Sequence, residues 1–317
     1  MLFRSDIGVP QTLLRLRASH RGAVVELGMN HPGEIAWLAE IAQPTVGLVN
    51  NAQREHQEFM VSVEAVAKEN GAVIAALPAD GVAVFPADDA YASIWKKLAG
   101  QRACITFSMQ AAEHQTTPAD VRLTNADWRG DHWLFEATTP QGSLKTQLHC
   151  AGRHNVSNAL AATAAALAAN IALEKIAEGL AKFEPVKGRS RAYVVHVAGK
   201  QVNVVDDSYN ANPDSVKAAI DLLAELPKPQ ILVLGDMGEV GDDGPEFHRE
   251  VGLYAQHKNI DTVLCLGDLT THTVLACGAC AQHFADIDTL NLQVCHLRSE
   301  EHTSELQSPC NLVCRLL

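Results

Sequence analysis

The sequence lacks several things that would have placed it at once. It has no excess of positive charge: 37 Asp and Glu stand against 25 Lys and Arg, a net of −12. Without a basic stripe, sequence-independent nucleic-acid binding is excluded, because that binding rests on neutralising phosphates. An anionic substrate then needs a few basic groups placed locally. There is no run of roughly 18 apolar residues, so no stretch reads as a membrane-spanning helix. The alanine-rich run Ala159–Ala169 is too short and too weakly apolar. Met1-Leu2-Phe3-Arg4-Ser5 lacks the apolar core of a signal peptide, which predicts a cytoplasmic protein. Cys277-Gly-Ala-Cys280 is the one CxxC, with no second pair to complete a four-ligand zinc site. It is expected to be coincidental, and the eight cysteines to be reduced thiols. No GxxxxGK[ST] phosphate-binding loop occurs, since Gly199-Lys200 is followed by Gln201.

What is present reads as a soluble α/β chain of about two domains. Hydrophobic residues make 47% of the 317 and charged residues 20%, which excludes disorder and coiled coil as the main class. Apolar runs at Ala23–Leu27, Thr45–Val49 and Val82–Phe85 alternate with helical patterns at Gly33–Ile41, Val61–Leu77 and Asp88–Leu98. That alternation predicts a mostly parallel sheet. From Val121 to His149 the pattern suggests a small antiparallel side sheet, followed by helices over Asn155–Ala169 and Leu173–Lys182. Glu184-Pro185-Val186-Lys187-Gly188-Arg189 interrupts the pattern and predicts a boundary between residues 187 and 188. Beyond it, Ala192–Val197 and Gln201–Val205 read as paired strands around Gly199. A second series follows: helix Ser215–Leu226, strand Ile231–Leu234, helix Glu246–Gln256, strand Thr262–Leu266 and a helix from Asp286. The alternation is lost over Arg298–Leu317. Arg298-Ser-Glu-Glu-His-Thr-Ser-Glu-Leu-Gln-Ser308 resembles a translated sequencing-library adaptor, and residues 1–5 resemble the end of the opposite adaptor. Both ends are therefore expected to be non-native.

Open α/β sheets place chemistry at strand C-termini. Glu26 ends an apolar run, where a carboxylate can hold Mg²⁺ or simply face solvent. His56 follows Asn50-Asn51 and can ligate a metal, act as acid or base, or stand solvated. Asn155 and Asn158 lie three apart at a helix start, suited to an adenine edge or to plain capping. Arg189 can fork onto a phosphate. Asp207 precedes Ser208-Tyr-Asn210-Ala-Asn212-Pro213, a polar loop that is also turn and N-cap chemistry. Asp236 in Gly235-Asp-Met237 is another acid at a strand end, or a solvated turn acid.

Taken together, Asp6-Ile-Gly-Val-Pro10, Glu26-Leu-Gly-Met-Asn-His31, Val49-Asn-Asn51 with His56, Gly152-Arg-His-Asn-Val-Ser-Asn158, Gly188-Arg189, Asp206-Asp-Ser-Tyr-Asn-Ala-Asn-Pro213 and Gly235-Asp-Met237 resemble the bacterial Mur ligases, in family order. The resemblance implies a partial P-loop-type central ATPase domain over 6–187, without its P-loop, and an incomplete Rossmann-like C-terminal domain over 188–297. The family's UDP-binding domain and its late Lys-Gly-Ser motif are expected to be missing. It implies ATP-driven amide formation through an acyl phosphate, with UDP-MurNAc-tripeptide and D-Ala-D-Ala as substrates, ATP and Mg²⁺ as cofactors, and a monomer when complete. Glu26 and His56 would then hold Mg²⁺. Asn155 and Asn158 would lie at the adenine, and Arg189 and Asp207 at ATP phosphate and ribose. Asn210, Asn212 and Asp236 would lie near the dipeptide. Relatives with a carbamylated Lys are matched here by Asn70, and Lys68 lies roughly 200° round the helix from it. The resemblance leaves two alternatives, a folylpolyglutamate-type or single-amino-acid ligase and a non-catalytic binding module. The chain as it stands is expected to be inactive and marginally stable.

Overall fold

The computed structural model describes residues 5–54, 60–110, 118–129, 131–197, 200–238, 240–300 and 310–315. Two compact units divide the chain. The first takes residues 1–127, 134–147 and 156–182, and the second takes 128–133, 148–155 and 183–317.

The first unit opens with α1 (Gly8–Leu13) and α2 (Glu34–Ala42). Strand β1 (Val46–Leu48) follows, then α3 (Val63–Asn70) and α4 (Ala72–Ala75). The single helix expected over 61–77 is thus two helices. They divide at Gly71, where a side chain would strike Leu98 and Trp95. Ser62 caps α3 by accepting from the Ala65 amide at 3.1 Å. Next come β2 (Val82–Pro86), α5 (Ala92–Ala99), β3 (Ala103–Ser108), β4 (Val121–Trp128), β5 (Trp133–Thr139) and β6 (Gly142–Leu148). They form one six-stranded sheet in the order β1-β2-β3-β4-β5-β6. The expected side sheet is therefore part of the main sheet, because Phe107 and Ser108 of β3 pair in parallel with Val121 and Arg122 of β4. Helices α6 (Arg153–Ala168) and α7 (Leu173–Ala181) complete this part of the chain. Its core holds Val49, Ile74, Leu77, Ala83, Phe85 and a fully buried Trp95, whose Nε1 donates to the Ala67 carbonyl at 2.8 Å. Each such large apolar side chain contributes about 1.5–3 kcal/mol on burial.

One sequence expectation fails here. Ala23–Leu27 is not a strand: residues 23–30 join no ladder, and Val24 is fully exposed. A strand is defined by its neighbours, and the sheet begins at β1 with no described partner on that side.

The second unit carries β7 (Arg191–Val197) and β8 (Lys200–Asp206), antiparallel as expected, with Ala192 opposite Val205. Then come α8 (Pro213–Glu225), β9 (Gln230–Gly235), α9 (Gly244–His257), β10 (Thr262–Leu266), α10 (Thr270–Cys277), β11 (Ala281–Phe284), α11 (Ile287–Glu300) and β12 (Cys310–Arg315). The sheet order is β11-β10-β9-β12-β8-β7. Strand β12 pairs in parallel with both β8 and β9, so Leu312 stands between Val204 and Ile231. This corrects the expectation that alternation ends at Arg298. Without β12, two rows of backbone donors and acceptors in mid-sheet would have no partners. Strand β9 is buried along its whole length, and Leu232 and Leu234 join Val216, Ile220, Leu223, Val251 and Val263 in the core. Cys277 and Cys280 are joined as a disulfide, against the expectation of coincidental thiols. Their Cα atoms lie 6.3 Å apart across the turn after α10, within bonding range. No described helix is long and apolar enough to cross a membrane.

Candidate functional site

The sequence-predicted residues fall into separate groups. In the first unit, Asn158 projects from the second turn of α6 and accepts from Asn50 Nδ2 at 2.8 Å. Asn50 stands just after β1, so the amide pair links a strand end to a helix start. Asn51 is tied in as well, because its carbonyl accepts from Asn70 Nδ2 at 3.3 Å. Asn70 therefore faces the end of β1. Lys68 turns away into a solvent-exposed ion pair with Glu64 at 2.6 Å. Glu69 is 9% exposed and accepts from the amides of Gly33 and Ile35, both at 2.9 Å, so it closes the N-terminus of α2.

Glu26 is exposed and lies in the segment that forms no strand, so its expected place at a strand C-terminus is not realised. His56 lies outside the described residues. Among the described residues no group of three or more His, Cys, Asp or Glu could hold a metal ion. His56, one of the two expected ligands, is not among them.

In the second unit, the segment 188–190 meets the end of β8. Gly188 has φ +81°, donates its amide to Asp206 Oδ2 at 3.0 Å, and accepts from the Tyr209 amide at 3.0 Å. A side chain at 188 would run into the Tyr209 backbone, so glycine is required there. Arg189 is exposed and stacks its guanidinium 4.0 Å over the Tyr209 ring. Asp207 Oδ1 accepts from both the amide and the hydroxyl of Ser190, each at 3.1 Å. The structure thus brings Arg189 and Asp207 together.

Three of the four remaining candidates carry local roles. Asn155 Nδ2 donates to the Ala151 carbonyl at 2.7 Å. Asn212 is the N-cap of α8: it accepts from the Ser215 amide at 2.8 Å, and its own amide donates to Ser215 Oγ at 3.0 Å. Asn210 Oδ1 accepts from the Ala211 amide at 2.9 Å and the residue is exposed.

Asp236 stands at the end of β9, partly exposed, and caps α10 by accepting from the Thr270 amide at 2.9 Å. Gly267, at φ +119°, gives this carboxylate its room, since any side chain there would strike it. Behind it lies a residue that sequence reasoning missed. His248 is fully buried. Its Nδ1 lies 2.7 Å from the Gly244 carbonyl and must donate to it, so Nε2 is left to accept from the Met237 amide at 3.1 Å. Burial holds this imidazole below its ordinary value of 6.5, against the opposing pull of the Gly244 bond and the Asp236 charge. Burial and the same Asp236 charge push the Cys265 thiol up to about 12. The signal for His248 was not local: it stands eleven residues beyond Met237 on another element.

These features define a class: an α/β protein with carboxylates and amides gathered at the C-terminal ends of its strands. Comparison with known proteins narrows it. The model of the Mur ligase middle domain matches residues 3–166, and that of the Mur ligase glutamate ligase domain matches residues 190–299. The chain belongs to the Mur ligase family. It is 39% identical over 282 residues to the UDP-N-acetylmuramoyl-tripeptide--D-alanyl-D-alanine ligase of Escherichia coli, covering 89% of this chain and 60% of that protein. Among solved structures it is similar to MurF from Acinetobacter baumannii, with a TM-score of 0.88 and 29% identity over 100% of this chain and 66% of that one. A folylpolyglutamate synthase from Mycobacterium tuberculosis shares the fold, at TM-score 0.72 and 14% identity over 92% of this chain and 65% of that one. The chain spans about 60% of the length of the curated relatives it matches.

Proposed function

We propose that this chain carries part of an ATP-dependent amide ligase that joins D-alanyl-D-alanine to UDP-MurNAc-tripeptide. The observation that carries the reading is the 39% identity, spread over 282 residues, to a ligase named for that dipeptide. The Asp206–Pro213 string adds to it by placing three acceptor-rich side chains after β8.

The roles follow from what each group can do. When bound, ATP supplies the phosphoryl group that activates the acceptor carboxylate. Arg189 neutralises phosphate charge through its guanidinium fork, which its stacking on Tyr209 holds in place. Asp207, held by the Ser190 amide and hydroxyl, accepts a hydroxyl of the ribose. Asn158, oriented by Asn50, presents an amide to the adenine edge. Asn210 and Asp236 face the amine substrate, and Asp236 attracts its ammonium group. Glu26 and His56 remain the metal ligands of this reading. Asn155 belongs with the adenine group and Asn212 with the dipeptide group. The absence of a GxxxxGK[ST] loop from this sequence removes the cradle for the terminal phosphates, so the chain alone is inactive.

The test is a chimera in which residues 6–297 replace the matched stretch of the Escherichia coli relative. ATP-dependent phosphate release is followed with UDP-MurNAc-tripeptide and each of three amines. Release with D-Ala-D-Ala, and background with Glu or meso-diaminopimelate, is the expected pattern. Release with either single amino acid in preference to the dipeptide overturns the acceptor. The unmodified chain is expected to read background throughout.

A further inference from the structure

The disulfide between Cys277 and Cys280 has no part in the ligase reading. Cys277 is the last residue of α10, and Cys280 ends the short turn that leads into β11. The two sulfurs sit in different surroundings. Cys277 is 1% exposed and belongs to the core of the second unit, whereas Cys280 is only partly buried at the rim of that core. Between them, Gly278 and Ala279 are exposed, and Gly278 takes φ +79° to turn the chain back. The bridge thus runs from the core to a surface turn.

Two observations speak for exchange rather than bracing. The first is spacing. The cysteines are three apart in sequence, so the bridge closes a very short loop. A disulfide restrains the unfolded chain less as its loop shortens, and this one restrains it little. The second is that the reduced form is also provided for. Cys280 Sγ lies 3.5 Å from the Cys277 carbonyl, so a thiol there donates to the end of α10. The same carbonyl accepts from Gln256 Nε2 at 3.2 Å, and a reduced Cys277 is a small apolar side chain in the core. Burial pushes the thiols of Cys150 and Cys265 up to about 12, so neither supplies a competing thiolate.

We propose that Cys277 and Cys280 form a thiol–disulfide exchange site, oxidised by small disulfides and reduced by small thiols, with Cys280 as the sulfur that meets them. In oxidation the Cys280 thiol loses its proton to solvent and attacks one sulfur of the small disulfide. That S–S bond breaks and one small thiolate leaves. Cys277 then loses its proton, attacks the Cys280 sulfur and displaces the second thiolate. Two protein S–H bonds become one S–S bond, and the small disulfide takes up two electrons and two protons as two thiols. The site stands independently of the ligase reading.

The test equilibrates the folded full chain across a series of reduced-to-oxidised glutathione ratios. Samples are quenched in acid, unfolded, alkylated and mapped by mass spectrometry. The segment 277–280 is expected to pass from bridged to doubly alkylated along the series, and to return when the ratio is reversed. A segment doubly alkylated throughout, or bridged even in excess thiol, overturns the proposal. Single variants treated with glutathione disulfide then read the order of the sulfurs, with the exposed Cys295 as internal rate standard. In Cys277→Ala the adduct should form on Cys280. In Cys280→Ala it should form on Cys277 on the order of tenfold more slowly, because exchange needs access. Cys277→Ser keeps the side-chain size if the alanine variant does not fold. Equal rates, or a faster Cys277, overturn Cys280 as the entry sulfur.

Discussion

Asp207 and Asp236 follow two parallel strands of the same sheet, and they are held by opposite means. Asp207 is steadied by a hydroxyl and, behind it, a partly exposed imidazole. Asp236 is steadied by the first turn of α10, in a corner whose floor is a fully buried His248. One support runs through side chains to a partly exposed ring. The other is backbone closed over a neutral ring. The difference teaches that a carboxylate at a strand end can be tuned at one place and merely fixed at another, within a single unit.

Damage at the buried end should cost most. His248→Ala leaves the Met237 amide without an acceptor and opens a cavity, and is expected to lose about 3–4 kcal/mol in urea unfolding. Cys265, with its thiol held near 12, then becomes open to alkylation because its shelter beside Asp236 loosens. A loss under about 1 kcal/mol would place His248 outside the support of that corner. A smaller effect comes from pH. The folded chain holds His248 below 6.5 while the unfolded chain does not. Its contribution is complete above 6.5 and is lost as pH falls through the lower folded value. The urea midpoint should therefore fall more steeply with acid in the wild type than in His248→Gln, which keeps an acceptor and cannot titrate. Equal slopes would remove the contrast. Smallest is the stability change at the other end. Ser190→Gly trades a hydrogen bond for relief of a left-handed serine and should lie within about 1 kcal/mol of the wild type. A larger loss would mean that the hydroxyl braces the fold rather than aiming Asp207.

Much of the architecture was legible because local pattern and tertiary neighbours agreed. Thr262–Leu266 was read at its observed bounds, and two apolar runs either side of a glycine in the sequence announced the β7–β8 pair. Asn212 could be seen as both cap and ligand candidate, and the cap is realised. Ala23–Leu27 shows where pattern runs out. It looks like Ile231–Leu234, yet only the latter lies between two ladders. Strand formation depends on partners elsewhere in the chain, which a local window cannot report. Strand β11, Ala-Gln-His-Phe, fails in the opposite direction, since its polar centre hides a strand that pairs with β10 along one edge. Ser190 and His248 were missed for a related reason. Their work depends on hydrogen bonds to segments 17 and 11 residues away, and neither stands in a motif of its own.

The place of β12 has a consequence in time. It comes after every other described strand but lies between β8 and β9, bonded to both. Until it is seated, β7–β8 and β9–β11 are two part-sheets with facing open edges, so the described sheet closes only through its most sequence-distant pairing.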